Sequence, residues 1–126
     1  MNIVDSSGWL EYFADGPNAS FFSTPLAKAT DLLVPSITIH EVFKVVFRQR
    51  GESDALQAVA LMQQGSVVEL SAEISILAAK VSIEFRLPMA DSIILATART
   101  YGATLWTQDS DFEQFDGVQY GARKNG

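Results

Sequence analysis

LPMADSIILATARTYGATLWTQDSDF, Leu87–Phe112, holds a complete passage from helix to strand. Pro88 suits the first turn of a helix, where its missing N–H costs nothing. Ile94, Leu95 and Ala98 then repeat at helical spacing from Asp91, so the acid lies on the inward side of an otherwise apolar helix. That is an expensive position for a lone charge. Gly102 reads as the left-handed residue that closes the helix, and ATLWT, Ala103–Thr107, follows as a short strand. At its end the polarity changes abruptly, to Gln108, Asp109 and Asp111.

The same alternation extends in both directions. MNIV opens as a strand ending at Asp5; LLVP, Leu32–Pro35, is a second, stopped by proline; SVVEL, Ser66–Leu70, is a third, after a helix-ending Gly65. GVQY, Gly117–Tyr120, is a last short one. Helical patterns fill the intervals: Ser7–Ala14, Pro17–Ala29, Ser36–Gln49, Ser53–Gln64, Ala72–Phe85 with Ser71 as its N-cap, and Pro88–Tyr101. Strands separated by helices predict an α/β fold: a three-layer α/β/α sandwich around a mostly parallel sheet of about five strands, with right-handed crossovers. With 126 residues, 48% of them hydrophobic, one domain over 1–126 is expected, with 121–126 as a frayed tail.

Composition narrows the chemistry. The chain has no cysteine, which excludes disulfides, thiolate catalysis and Cys-based zinc sites, and fits a reducing cytoplasm. The N-terminus lacks the basic and apolar regions of a signal peptide, and no apolar run reaches the roughly 18 residues of a membrane span. A soluble protein is expected. The net charge of −6 argues against nonspecific binding to phosphate, so a nucleic-acid role requires a local basic patch or a bridging metal.

In a parallel α/β sheet, ligands collect outside the carboxyl ends of the strands. Asp5 ends the first strand and Asp109 lies just past ATLWT, so both face one crevice if these strands are neighbours. In PSITIHEVFKVVFRQRG, Ile39, Val42, Phe43, Val46 and Phe47 form an apolar stripe, and Glu41 lies beside it near the positive helix end. Singly, Asp5, Asp109 or Asp111 could be no more than helix caps. Jointly, clustered carboxylates raise one another's pKa and are relieved by a cation. An all-oxygen ligand set with no useful His or Cys favours Mg²⁺ or Mn²⁺.

These segments resemble the PIN domain family, in particular the VapC-type toxins of bacterial toxin–antitoxin pairs. MNIVDSSGWLEYF looks like the family's opening strand with its acid and a following Ser or Thr. PSITIHEVFKVVFRQ looks like its glutamate motif, and LPMADSIILATARTYGATLWTQDSDF like its third and fourth motifs run together. The resemblance implies a metal-dependent endoribonuclease acting on RNA, with Asp5, Glu41, Asp91 and Asp109 at the acidic positions. It also implies a homodimer or larger assembly and a cognate VapB-type antitoxin that blocks the site. Metal-assisted phosphodiester hydrolysis needs carboxylates and no protein nucleophile. Asp5 and Asp91 are expected as central ligands, Glu41 and Asp109 as completing the shell directly or through water, and Asp111 as a further water-mediated ligand or a cap. Ser7 and Thr107 are placed to orient the acids by hydrogen bonds.

Lys44 and Arg48 follow Glu41 by three and seven positions, on its face of the helix, as candidate RNA phosphate contacts or simply a solvated edge. Arg86 and Arg99 carry the same ambiguity, and His40 is expected in a packing or surface role. Phe112 and Phe115 are expected to anchor a short helix to the core, with Gln108 facing solvent. Trp9, Tyr12, Phe13, Phe21, Phe22, Phe43 and Phe47 are expected mostly buried, any exposed group of them marking a partner groove. Two rival functions stand beside the nuclease. One is a phosphoryl-accepting module, which the Ser at position 7 and the lack of a lysine at the end of a late strand disfavour. The other is a catalytically weak PIN-like binding protein, which the presence of all four acids disfavours.

Overall fold

The computed structural model describes residues 1–124. Its elements run β1 (Asn2–Val4), α1 (Ser6–Phe13), α2 (Ala19–Leu26), β2 (Leu32–Pro35), α3 (Ser36–Arg50), α4 (Glu52–Met62), β3 (Ser66–Val68), α5 (Ala72–Phe85), α6 (Met89–Tyr101), β4 (Thr104–Thr107) and β5 (Val118–Tyr120). The sheet order is β3-β2-β1-β4-β5, and every pairing is parallel. From β1 the chain moves outward to β2 and β3, then crosses back to β4 on the other side. The strand order therefore reverses between β1 and β4, which are direct neighbours with Val4 opposite Trp106. The crevice outside these two strand ends is where such a sheet binds ligands.

Period-two alternation in the strands divides the core between the sheet's faces. Ile3, Leu33 and Leu105 turn toward α5 and α6, packing on Ile94, Leu95, Phe112 and Phe115. Val4, Leu32 and Val34 turn toward α1–α4, packing on Trp9, Phe22, Val42 and Met62. Gly8 makes this second layer possible: a Cβ there would lie 2.6 Å from both Phe22 Cε1 and Val4 Cγ1. Glycine is needed here for close approach and not for backbone freedom.

Local signals account for most boundaries. Ser71 caps α5 by accepting from Ile74 N at 3.1 Å, and Gly102 closes α6 at φ 61° with Ala103 N donating to Ala98 O. Pro88 sits one position earlier than expected, as the N-cap of α6. Gly65 is not left-handed; a Cβ there would lie 2.9 Å from Val34 Cγ2, so it too serves close packing. The expected helix Pro17–Ala29 is shorter. Asn18 turns its side chain elsewhere and offers no cap bond, and α2 ends at Leu26, just after the internal Pro25 removes a hydrogen bond; a 3-10 turn at Ala29–Asp31 follows. The tail is also more ordered than expected at its start, since Gly121 N donates to Thr107 O and Ala122 O accepts from Asn18 Nδ2. Residues 125–126 of that expected tail lie outside the described residues.

The aromatic expectation needs correction. Only Trp9 and Phe22 of the seven are fully buried; Phe13, Phe21 and Phe43 are half-buried, and Tyr12 and Phe47 are exposed. The α3 stripe divides accordingly, with Val42 and Val46 in the core, Ile39 and Phe43 half-buried against its edge, and Phe47 exposed. α3 packs against α1, α4, α6 and β2, and the far edge of the stripe at Phe47 is left uncovered.

Candidate metal centre

Asp5 is delivered by the end of β1 and is almost wholly buried. Its Oδ1 caps α1 by accepting from Gly8 N at 2.8 Å and also accepts from Ser7 Oγ at 2.8 Å. Oδ2 accepts from Thr107 Oγ1 at 2.5 Å and from Ser7 Oγ at 3.0 Å. Thr107 in turn accepts from Asp109 N at 2.9 Å. One hydroxyl at the end of β4 therefore ties together the acids that end β1 and follow β4. Despite these donors, burial raises the Asp5 carboxyl from 3.8 to about 6, because desolvation of the charged form outweighs them.

Asp91 enters from the first turn of α6 and is half-buried. Its carboxyl is raised from 3.8 to about 7, first by burial and then by the negative charges of Asp109, Asp5, Glu41 and Asp111. Carboxylate oxygens of Asp91, Asp109 and Asp111 lie within 4.8 Å of one another. Among the described residues the ion pairs are Lys28–Asp31 and Arg50–Asp54, and neither involves these acids. Asp109 also caps the 3-10 turn Ser110–Phe112, accepting from Asp111 N at 2.9 Å. Glu41 is held in place by Ser6 Oγ, which donates to its Oε1 at 2.5 Å.

The expected acids thus converge on one crevice, although their grouping differs in detail. The tight oxygen cluster is Asp91, Asp109 and Asp111, while Asp5 has both oxygens engaged by donors. Ser6 is not singled out by the sequence, where its only signal is its place between Asp5 and Ser7. Gln108, expected to face solvent, is instead buried; it accepts from Asn18 Nδ2 at 3.0 Å and donates to Ser7 O at 3.5 Å. Lys44, Arg48, His40 and Arg86 are exposed. The Arg99 guanidinium lies 5.7 Å from the Phe85 ring and 5.5 Å from the Phe115 ring, so it is occupied in packing. Phe112 and Phe115 are buried as expected.

The sequence profile of the PIN domain matches residues 3–118. This chain belongs to the PIN domain family. Solved structures share the fold over nearly the whole length. A toxin–antitoxin complex from Klebsiella pneumoniae superposes with a TM-score of 0.78 at 22% identity, covering 94% of this chain and 96% of that one. Mycobacterium tuberculosis VapC20, described as a sarcin–ricin-loop-cleaving toxin, gives 0.73 at 19% identity, covering 90% and 93%. DNA-bound VapBC from Salmonella typhimurium gives 0.72 at 15%, covering 97% and 98%. A comparison with curated protein sequences gives no match. At these identities the likeness is one of fold.

Proposed function

We propose that this PIN domain is a divalent-metal-dependent endoribonuclease and the toxin of a type II toxin–antitoxin pair. The observation that carries the proposal is the crowding at Asp91, whose carboxyl is held up to about 7 by its buried position and by four neighbouring acids. Hard carboxylate oxygens with no ion-paired basic side chain among the described residues fit Mg²⁺ or Mn²⁺. Asp91, Asp109 and Asp111 would hold the ion, with Asp5 and Glu41 adding charge to the same crevice. A bound divalent ion supplies Lewis-acid polarisation of a phosphodiester and activation of water. The protein's own contribution is positional. Thr107 and Ser7 fix Asp5, Ser6 fixes Glu41, and the turn at Ser110–Phe112 fixes Asp109 against Asp111.

A groove of about 900 Å³ runs along α1, α3 and α4, with Leu10, Phe13, Val46 and Leu61 in its wall, and ends at Ser7 and Gln108 beside the acids. It suits an amphipathic antitoxin segment, from which a basic side chain would reach the acids and neutralise them. The neighbouring toxin–antitoxin structures support this partner, and a homodimeric toxin is part of the same proposal. No helix among the described residues is long and apolar enough to cross a membrane.

The test is cleavage of total RNA by the purified protein with Mg²⁺ or Mn²⁺, with EDTA, Asp5→Asn and Asp91→Asn as controls. Discrete fragments that vanish in all three controls are expected. Cleavage that survives the substitutions, or none with either metal, would overturn the assignment.

A further inference from the structure

The outer face of α3 is only partly covered: Phe43 is half-buried against the core and Phe47 is exposed. Phe43 and Phe47 stack with ring centroids 5.5 Å apart and planes 28° from parallel. With Ile39, His40, Lys44 and Arg48 they line one shallow concavity, and Phe47 is 49% exposed. Successive residues of an α-helix are turned by about 100°, so going round α3 from Glu41 one meets Arg48 at about 20°, Lys44 at about 60°, His40 at about 100°, Phe47 at about 120° and Phe43 at about 160°. The arc on the other side of Glu41 is the buried one, carrying Thr38, Val42 and Val46. Lys44 and His40 therefore lie round the helix between Glu41 and the stacked ring pair, and Arg48 lies on Glu41's side about two turns further along α3.

The chemistry of this face is specific. In a chain of net charge −6, Lys44 and Arg48 are exposed and take no part in the ion pairs Lys28–Asp31 and Arg50–Asp54 found among the described residues. Cations beside half-exposed aromatic rings are the combination that holds a single nucleic-acid strand, the phosphates on the cations and the bases on the rings. Duplex RNA keeps its bases stacked inside and offers none to the rings.

We propose that the Phe43–Phe47 pair is a stacking platform for unpaired bases of the RNA substrate, and that Lys44 and Arg48 seat the phosphates between platform and crevice. The proposal rests on the nuclease assignment above and deepens it by naming the residues of this chain that take the bases of the bound strand. It commits the face to RNA rather than to a protein because charge complementarity points that way.

The test is binding of a fluorescein-labelled single-stranded RNA dodecamer of mixed sequence, and of the same strand in a blunt duplex, followed by anisotropy in EDTA so that no cleavage intervenes. Phe47→Ala is expected to weaken the single-strand Kd by between about fivefold and a hundredfold, to leave duplex binding unchanged, and to be rescued by Phe47→Tyr. Lys44→Gln with Arg48→Gln is expected to weaken both RNAs and flatten the salt dependence. Phe47 is half-exposed, so its truncation leaves the fold intact, which unchanged thermal unfolding would verify. An unchanged single-strand Kd in Phe47→Ala overturns the platform. So does a variant whose only change is conversion of a dimer to a monomer in sedimentation, which would assign the face to a second copy. Failure of the nuclease assignment is seen separately, as absence of cleavage by the unaltered protein with metal.

Discussion

Asp91→Asn should make the metal-free protein more stable at about pH 8. An acid whose folded pKa lies above its unfolded value holds its proton more tightly in the folded chain. Stability is therefore full below the unfolded value and falls as pH climbs toward the folded one. For Asp91 the window runs from 3.8 to about 7. At about 1.36 kcal/mol per pH unit this span sets a ceiling of about 4 kcal/mol. Asp91 is half-buried and not sealed, and solvent screening brings the expected cost to about 2 kcal/mol. An amide of the same shape removes that cost, which for a domain of this size raises Tm by roughly 6–10 °C. Thermal unfolding followed by circular dichroism in EDTA, at about pH 4.5, 6 and 8, measures it. The gain should be largest at the highest pH and nearly absent at the lowest. Added Mg²⁺ should reverse the order by stabilising the unaltered protein, by about 2.7 kcal/mol at a hundred times Kd, while leaving the variant unmoved. A variant equal to or below the unaltered protein at pH 8, or a gain independent of pH, would refute the electrostatic account of the crevice.

Thr107→Val leaves Asp5 Oδ2 and the Asp109 amide without the partner they share; a cost of about 1–3 kcal/mol in urea unfolding is expected, with Thr107→Ser restoring most of it. Gln108→Leu removes the acceptor of Asn18 Nδ2, and since Asn18 also holds Ala122, faster hydrogen exchange at the Gly121 amide should accompany the loss. Asp109→Asn keeps an oxygen to cap the 3-10 turn whereas Asp109→Ala does not, so only the alanine should lose about 1 kcal/mol of cap energy, while calorimetric titration should show Mn²⁺ binding weakened in both.

The fold was legible because each layer carries its own period. The switch from helical spacing in Ile94, Leu95 and Ala98 to the run Thr104–Thr107 marks α6 and β4, and Gly102 marks the junction. Strand order was not legible, since nothing in MNIV or ATLWT says that β1 and β4 are neighbours; only the fold places Val4 opposite Trp106. The acids were legible as residues on a crevice, but not their hydrogen bonds. Gln108 reads as a polar residue after a strand and therefore as exposed. It is buried because Asn18, ninety positions away, supplies the partner that makes burial affordable. Asn18 was opaque for the same reason: it falls inside the expected helix Pro17–Ala29, and nothing local says that its side chain reaches Gln108 and Ala122. Ser6 could be found only once Glu41 was in place beside it.

Along the sequence, capping and site formation compete to explain Asp5 and Asp109; in the structure they are one arrangement. A carboxylate in a crowd of like charges would swing toward solvent if its side chain were free, and the crowding would relax. Asp5 cannot do so, because Gly8 N and Ser7 Oγ hold Oδ1 while Thr107 Oγ1 holds Oδ2. Asp109 is held likewise through the Asp111 amide. The caps are what keep the repulsion at Asp91 from dissipating. Turn-starting acids at the ends of adjacent parallel strands thus hold two carboxyl groups in place, and α6 adds Asp91 beside them, where burial and the neighbouring charges raise its pKa.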